Sequence, residues 1–265
     1  MNETLNFQGT VLSNLKDFNN FTIFFLQAYR IFVIFISTDM LKIYYLRISD
    51  FQHLSEDELF PLVGEDTVRK VTGYKNPGVR RTKLLGEGMI RRLLFRLWGL
   101  HKEDYLIRIG EHGKPLVESR FSVWYNLSHS GDYIVAAFSH LEVGIDIEQK
   151  RKARMEVARR FFHPAEIQCL QNLAGDAQDE LFFRYWSVKE SFLKYTGSGL
   201  SSPLSGFEVR FDDQRPRIFQ SENLRNLSIS ACPVDPAYKC FVCAETTEEP
   251  GIFPFLVPDL FLPDE

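Results

Sequence analysis

The run Val143-Gly144-Ile145-Asp146-Ile147-Glu148 alternates apolar and polar or small residues, and a period of two is what a β-strand with one buried face requires. It places Val143, Ile145 and Ile147 on one side, and Gly144, Asp146 and Glu148 on the other. Carboxylates two residues apart on one face repel, so the pair needs solvent or a cation between them. One account is an amphipathic edge strand with a wet acidic face. The other is a metal site, where all-oxygen donors with no nearby His fit a hard ion such as Mg2+.

Elements of both kinds surround this strand. Residues 41–48 read as a strand, and Ser55 with Glu58 three residues on forms a capping box that starts a helix. Leu85, Met89, Leu93 and Leu97 recur about every four residues across 82–98, a helical stripe. Residues 121–139 read as a hairpin turning at His129-Ser130-Gly131-Asp132. Helices are expected over 153–173 and 179–196, the second stopped by Thr196-Gly197-Ser198-Gly199. Strands follow near 206–211, 226–232 and 238–244, and the Pro-rich remainder, 246–265, is expected to be a loosely held tail. The pattern is α+β, with a first half over 40–141 and a second over 142–245, and a site between them.

The first 39 residues differ in character. Phe21 to Ile36 is mostly apolar but broken by Gln27 and Arg30; it is shorter than the about 20 residues a membrane span needs. A membrane-surface helix is one account of it. The preferred one is that Met40 opens the native chain and 1–39 lies outside the fold. Cys240 and Cys243, three apart on a strand, point to opposite faces and cannot share a metal there. With Cys169 and Cys232 they make four cysteines, too few for a disulfide framework, so a reducing cytoplasm is expected.

A net charge of −4 gives no reason to expect nucleic acid as a partner. Charge is local instead. Arg69, Lys70, Lys75, Arg80, Arg81, Lys83, Arg91, Arg92 and Arg96 face the single acid Glu87 within 69–96, which suits a phosphate-rich small ligand. Glu190 and Lys194, four apart on an aromatic-rich helix, share a face. They are either a surface ion pair or a third metal carboxylate beside a phosphate-neutralising ammonium. Asn126-Leu127-Ser128-His129-Ser130-Gly131 concentrates hydroxyls, an imidazole and backbone amides suited to an anion.

In this order, Gly113-Lys114-Pro115, Asn126-Leu127-Ser128-His129-Ser130, Gly144-Ile145-Asp146-Ile147-Glu148 and Trp186-Ser187-Val188-Lys189-Glu190-Ser191-Phe192-Leu193-Lys194, with Arg159-Arg160-Phe161-Phe162 and Glu166 between the last two, resemble the surfactin-synthetase-activating type of 4′-phosphopantetheinyl transferase. The resemblance runs from Met40 to about Ala244. It implies a pseudo-twofold pair of α+β halves with coenzyme A in the cleft between them. It also implies transfer of phosphopantetheine from coenzyme A to a serine of an apo acyl or peptidyl carrier protein by a monomer.

By position, Asp146, Glu148 and Glu190 would hold Mg2+ and Lys194 would contact phosphate. Ser128 and His129 would bind the nucleotide's phosphates, and Lys114 would line the adenine side. The segment with Lys75, Arg81 and Lys83 would clamp the 3′-phosphate. Here the chain departs from the family, which has Arg then Ser or Thr directly before Leu-Leu-Gly; this chain has Arg81-Thr82-Lys83, and either cation fits. Glu190, directly or through water, would take the serine proton, making Glu190, Lys194 and Asp146 the catalytic group. The rivals are a Mg2+-dependent pyrophosphate hydrolase that uses water as acceptor, and a non-catalytic binder of coenzyme A or carrier.

Overall fold

A computed structural model describes residues 21–22, 36–37, 41–110, 112–199, 202–219, 227–246 and 249–261. The chain divides into two units, 1–40 and 41–265. In the first, Phe21–Thr22 pairs antiparallel with Ile36–Ser37. The rest of the apolar run read from the sequence lies outside the described residues, as does the rest of 1–39. Among the described residues no helix is long and apolar enough to cross a membrane.

The second unit is built from two sheets, each carrying a long helix. The first sheet runs β11-β1-β5-β4, where β1 is Lys42–Arg47, β4 Trp124–Ser130, β5 Tyr133–Ser139 and β11 Gly251–Pro254. The second runs β9-β10-β6, where β6 is Val143–Gln149, β9 Leu227–Ala231 and β10 Tyr238–Glu245. Hairpins β2 (Tyr105–Ile109) with β3 (Pro115–Ser119) and β7 (Glu208–Asp212) with β8 (Arg215–Phe219) lie outside these sheets. The helices are α1 (Glu56–Leu59), α2 (Glu65–Thr72), α3 (Pro77–Trp98), α4 (Met155–Phe161), α5 (Pro164–Gln171), α6 (Asp176–Thr196) and α7 (Val257–Phe261).

Strand β5 is buried along its whole length, which is why Tyr133 to Phe138 shows no polar alternation. Val135 and Ala137 join Val143, Ile145, Ile147, Cys240 and Val242 in a core shared by both sheets. Phe138 points the other way, against Trp98 of α3 at a ring separation of 5.7 Å. Helix α6 buries Phe182, Tyr185, Val188 and Phe192 in a separate core that includes Phe241 and Cys243. Cys240 and Cys243 therefore fall in different cores, as three-residue spacing on a strand requires.

A buried ion pair locks this second core. Lys189, with no exposed side-chain surface, lies 2.9 Å from Glu166, and its ammonium also donates to the carbonyls of Leu204 and Phe207. Both charges leave water, and the surrounding hydrogen bonds offset that cost.

Three expectations change. The described part of the tail, 249–261, is packed rather than loose: β11 pairs parallel with β1, and Phe255 and Leu260 are buried, because apolar residues between its prolines complete the sheet edge. The helix expected over 153–173 is two helices. Pro164 cannot continue α4 but suits the first turn of α5, with His163 as N-cap. His129 and Ser130 belong to strand β4, and the turn is Gly131-Asp132, with Gly131 at φ 53°. Asp132 anchors it by accepting from the backbone N–H and hydroxyl of Ser49.

Candidate active site

The two sheets meet where β4 and β6 run side by side, joined through side chains rather than a backbone ladder. Asn126, Ser128 and Ser130 share one face of β4. Their side-chain oxygens accept the N–H groups of Ile145 (2.9 Å), Ile147 (3.4 Å) and Gln149 (3.1 Å) on the free edge of β6. That seam satisfies an edge that would otherwise be left unpaired indoors. It is also what the alternation in Asn126-Leu127-Ser128-His129-Ser130 encodes, since Leu127 and His129 turn instead into a cleft.

Helix α6 presses on the polar face of β6. A Cβ on Gly144 would lie 2.2 Å from the carbonyl oxygen of Ser191 and 2.2 Å from the backbone nitrogen of Tyr195, so only glycine lets the helix come this close. Ser187 of α6 donates to the backbone carbonyl of Asp146 at 2.9 Å. This contact brings Lys194 over β6. Its ammonium donates to Asp146 Oδ1 at 2.7 Å and to Ser128 Oγ at 2.8 Å, and Ser128 Oγ donates to the same Oδ1 at 3.0 Å.

The second oxygen of Asp146, Oδ2, is buried and has no hydrogen-bond partner. Glu148 accepts from Ser130 Oγ at 2.9 Å. Burial, then the charge of Asp146, pushes the carboxyl of Glu148 above the usual range. Glu190 is pushed up by the same two causes in the same order, with Glu148 adding to them. Three acids thus repel one another across a small space, with Lys194 offsetting only part of the charge. Among the described residues no group of three or more Asp, Glu, His or Cys side chains is arranged to hold a metal ion as it stands. The chemistry of the side chains nevertheless fits a hard divalent cation: the three acids offer only oxygens, and Asp146 Oδ2 is a buried carboxylate oxygen without a hydrogen-bond partner.

The cleft itself has a volume of about 1020 Å³; Glu190, Lys194, Lys83 and His129 are in its lining, whereas Asp146 and Glu148 lie behind it. Burial, then the cations Lys83 and Lys194, hold the imidazole of His129 below its usual pKa. Cations that depress a neighbouring imidazole mark a place where an anion would be stabilised.

The remaining expected residues separate. Lys83 lines the cleft, whereas Arg81 turns away and donates to the carbonyls of Phe51 (2.9 Å) and Leu54 (2.8 Å). Two residues apart on a helix is about 200° of rotation, so only one of them can face the cleft. Lys75 is exposed just before α3 and is not part of the lining. The basic run instead contributes Arg69 and Lys70 from α2 and Arg91 from α3.

Ser128 lies in the seam rather than on the cleft wall. Lys114 lines the cleft with its stem, while its ammonium donates to the Tyr195 carbonyl at 2.6 Å beside the Trp124 and Tyr195 rings. It ties the β2-β3 hairpin to the C-terminus of α6, where a cation is favoured.

Residues 142–243 match the 4′-phosphopantetheinyl transferase superfamily. The 4′-phosphopantetheinyl transferase Sfp of Bacillus subtilis (strain 168) is 36% identical over 178 residues, covering 67% of this chain and 79% of that protein. The chain belongs to the 4′-phosphopantetheinyl transferase family. The transferase is also 38% identical over 165 residues to psf-1 of Bacillus pumilus, which covers 62% of this chain and 70% of that protein. Among solved structures, a holo-(acyl-carrier-protein) synthase from Bacillus anthracis str. Ames, in complex with CoA (3′,5′-ADP), is similar over 40% of the transferase and 97% of that chain, at 21% identity and a TM-score of 0.34.

Proposed function

We propose that the cleft binds coenzyme A between the halves 40–141 and 142–245 and transfers its phosphopantetheine to a serine of an apo acyl or peptidyl carrier protein. The observation that carries this reading is the junction of Lys194, Ser128 and Asp146, with an unpartnered carboxylate oxygen, at a cleft that Lys194, Lys83 and His129 line. Asp146, Glu148 and Glu190 would hold Mg2+, which when bound supplies positive charge to the pyrophosphate.

The residues of the chain do the rest. Lys83, with Arg69 and Lys70, neutralises the 3′-phosphate. His129 donates to phosphate oxygens, and Lys194 stabilises charge on the leaving side of the pyrophosphate. Glu190, with its affinity for protons raised by burial, takes the serine proton directly or through water. The serine oxygen bonds to the phosphorus that carries pantetheine. The bond from that phosphorus to the bridging oxygen breaks, and 3′,5′-ADP leaves with the electron pair. One chain supplies both walls, so a monomer suffices, and the cytoplasm supplies both substrates.

Intact mass spectrometry of an apo carrier incubated with coenzyme A and Mg2+ tests the reading. The carrier should gain one phosphopantetheine in step with release of 3′,5′-ADP. An unchanged carrier with free phosphopantetheine in solution would instead make water the acceptor and overturn it.

The cleft wall carries its own expectation. Lys83→Ala should raise the KM for coenzyme A by about tenfold, the scale of one lost charge-assisted contact. Lys75→Ala should leave it unchanged. Arg81→Ala should lower thermal stability rather than affinity, since it frees two carbonyls that Arg81 now satisfies. Steady-state kinetics with thermal melts of the three variants separates these outcomes.

A further inference from the structure

Helix α2 is short, eight residues, and Val71 is its only buried side chain. So small an apolar contact is a weak hold on an exposed helix. A second hold comes from Glu87, near the middle of α3. Its Oε1 accepts the backbone N–H of Gly64, the N-cap residue of α2, at 2.8 Å, and its Oε2 accepts the hydroxyl of Thr67 in the first turn. Arg91, one turn further along α3, donates to Oε1 at 2.7 Å and to the Tyr105 hydroxyl at 3.3 Å. A Cβ on Gly64 would come within 2.7 Å of Arg91 and 3.3 Å of Glu87, so the N-terminus of α2 seats directly on this ion pair. A carboxylate there also suits the helix dipole. The last turn of α2 holds Arg69 and Lys70, both on the cleft.

We propose that Glu87 is a positioning residue of the transferase. By anchoring the N-terminus of α2 it fixes where Arg69 and Lys70 present charge, and so sets the preference for coenzyme A over its analogue lacking the 3′-phosphate. Glu87 is the lone acid of the basic run; it lines the same cleft, but both of its carboxylate oxygens accept from protein donors. The inference rests on the reading that this wall receives the 3′-phosphate.

The test compares KM and kcat for coenzyme A and 3′-dephospho-coenzyme A in the full-length wild type, Lys83→Ala, Glu87→Ala, Glu87→Gln and Thr67→Val. Wild type should prefer coenzyme A, and Lys83→Ala should weaken that preference, which establishes the reading. Glu87→Ala should then reduce the preference about fivefold, through KM for coenzyme A rather than kcat. Glu87→Gln, which keeps an acceptor for Gly64 and Arg91, should recover part of it. Thr67→Val, which removes only the donor on α2, should shift it in the same direction and stands in should Glu87→Ala fold poorly.

A preference unchanged in the Glu87 and Thr67 variants, but lowered by Lys83→Ala, would overturn the role of Glu87 alone. No preference in wild type, or none lost in Lys83→Ala, would overturn the 3′-phosphate reading and the inference with it.

Discussion

Asp146→Ala is expected to lower the single-turnover rate of holo-carrier formation by about a hundredfold or more, the scale of removing one preorganised electrostatic group. The residue is buried, holds Lys194 and Ser128 through one oxygen, and leaves the other free. Removing it takes away a proposed cation ligand and leaves the Lys194 ammonium without its carboxylate partner. Asp146→Asn separates these effects, since the amide keeps the shape and an acceptor for Lys194 but loses the charge. The same large loss in Asp146→Asn, with an unchanged circular dichroism spectrum, would assign the effect to charge. A rate within about threefold of wild type in the folded Asn variant would remove Asp146 from the reaction.

Gly144→Ala is expected to be the most damaging single-methyl change in the second half. The added carbon meets two backbone atoms of α6 at 2.2 Å, and helix backbone has no rotamer by which to yield. Overpacking of flexible side chains typically costs about 1–3 kcal/mol, so about 3 kcal/mol is a lower mark here. For a unit of this size that corresponds to a fall of roughly 6–12 °C in Tm. Activity at low temperature should fall too, because a helix pushed off β6 carries Lys194 away from Asp146. A thermal melt within a degree or two of wild type would show that the helix can ride outward freely, and the close seating of α6 on β6 would then not be what positions the ammonium.

Strand β6 was readable from residues alone because its two faces meet different surroundings: a core on the Ile145 side and α6 on the Asp146 side. Helix α3 was readable for the same reason, as its leucine stripe buries Leu85, Met89 and Leu93. Hairpin strands β2, β3 and β8 and strand β11 were not foreseen. They are short, partly exposed and lack clean alternation, so their pairing is decided by neighbours rather than by pattern. The break before Pro164 did have a signal in the proline itself.

The site divides in the same way. Local spacing pairs Asp146 with Glu148 and Glu190 with Lys194, while joining the two pairs rested on the family resemblance, because it depends on how α6 seats against Gly144. That Ser128 serves the seam could not be seen, since it depends on β4 lying beside β6. The basic run gave the charge but not its direction: helical phase sends Arg81 to the carbonyls of Phe51 and Leu54 and Lys83 to the cleft, and that phase is set by where α3 begins.

The central claim is that the acids around Lys194 form a cation-dependent phosphoryl-transfer site. Its most direct test is the rate of holo-carrier formation by EDTA-stripped enzyme, read by intact mass as Mg2+ is added back, for wild type and Glu148→Gln. Transfer should be negligible without metal and recover on titration, with a midpoint moved to higher Mg2+ in Glu148→Gln. Undiminished transfer in EDTA, or identical midpoints for both proteins, would contradict the claim.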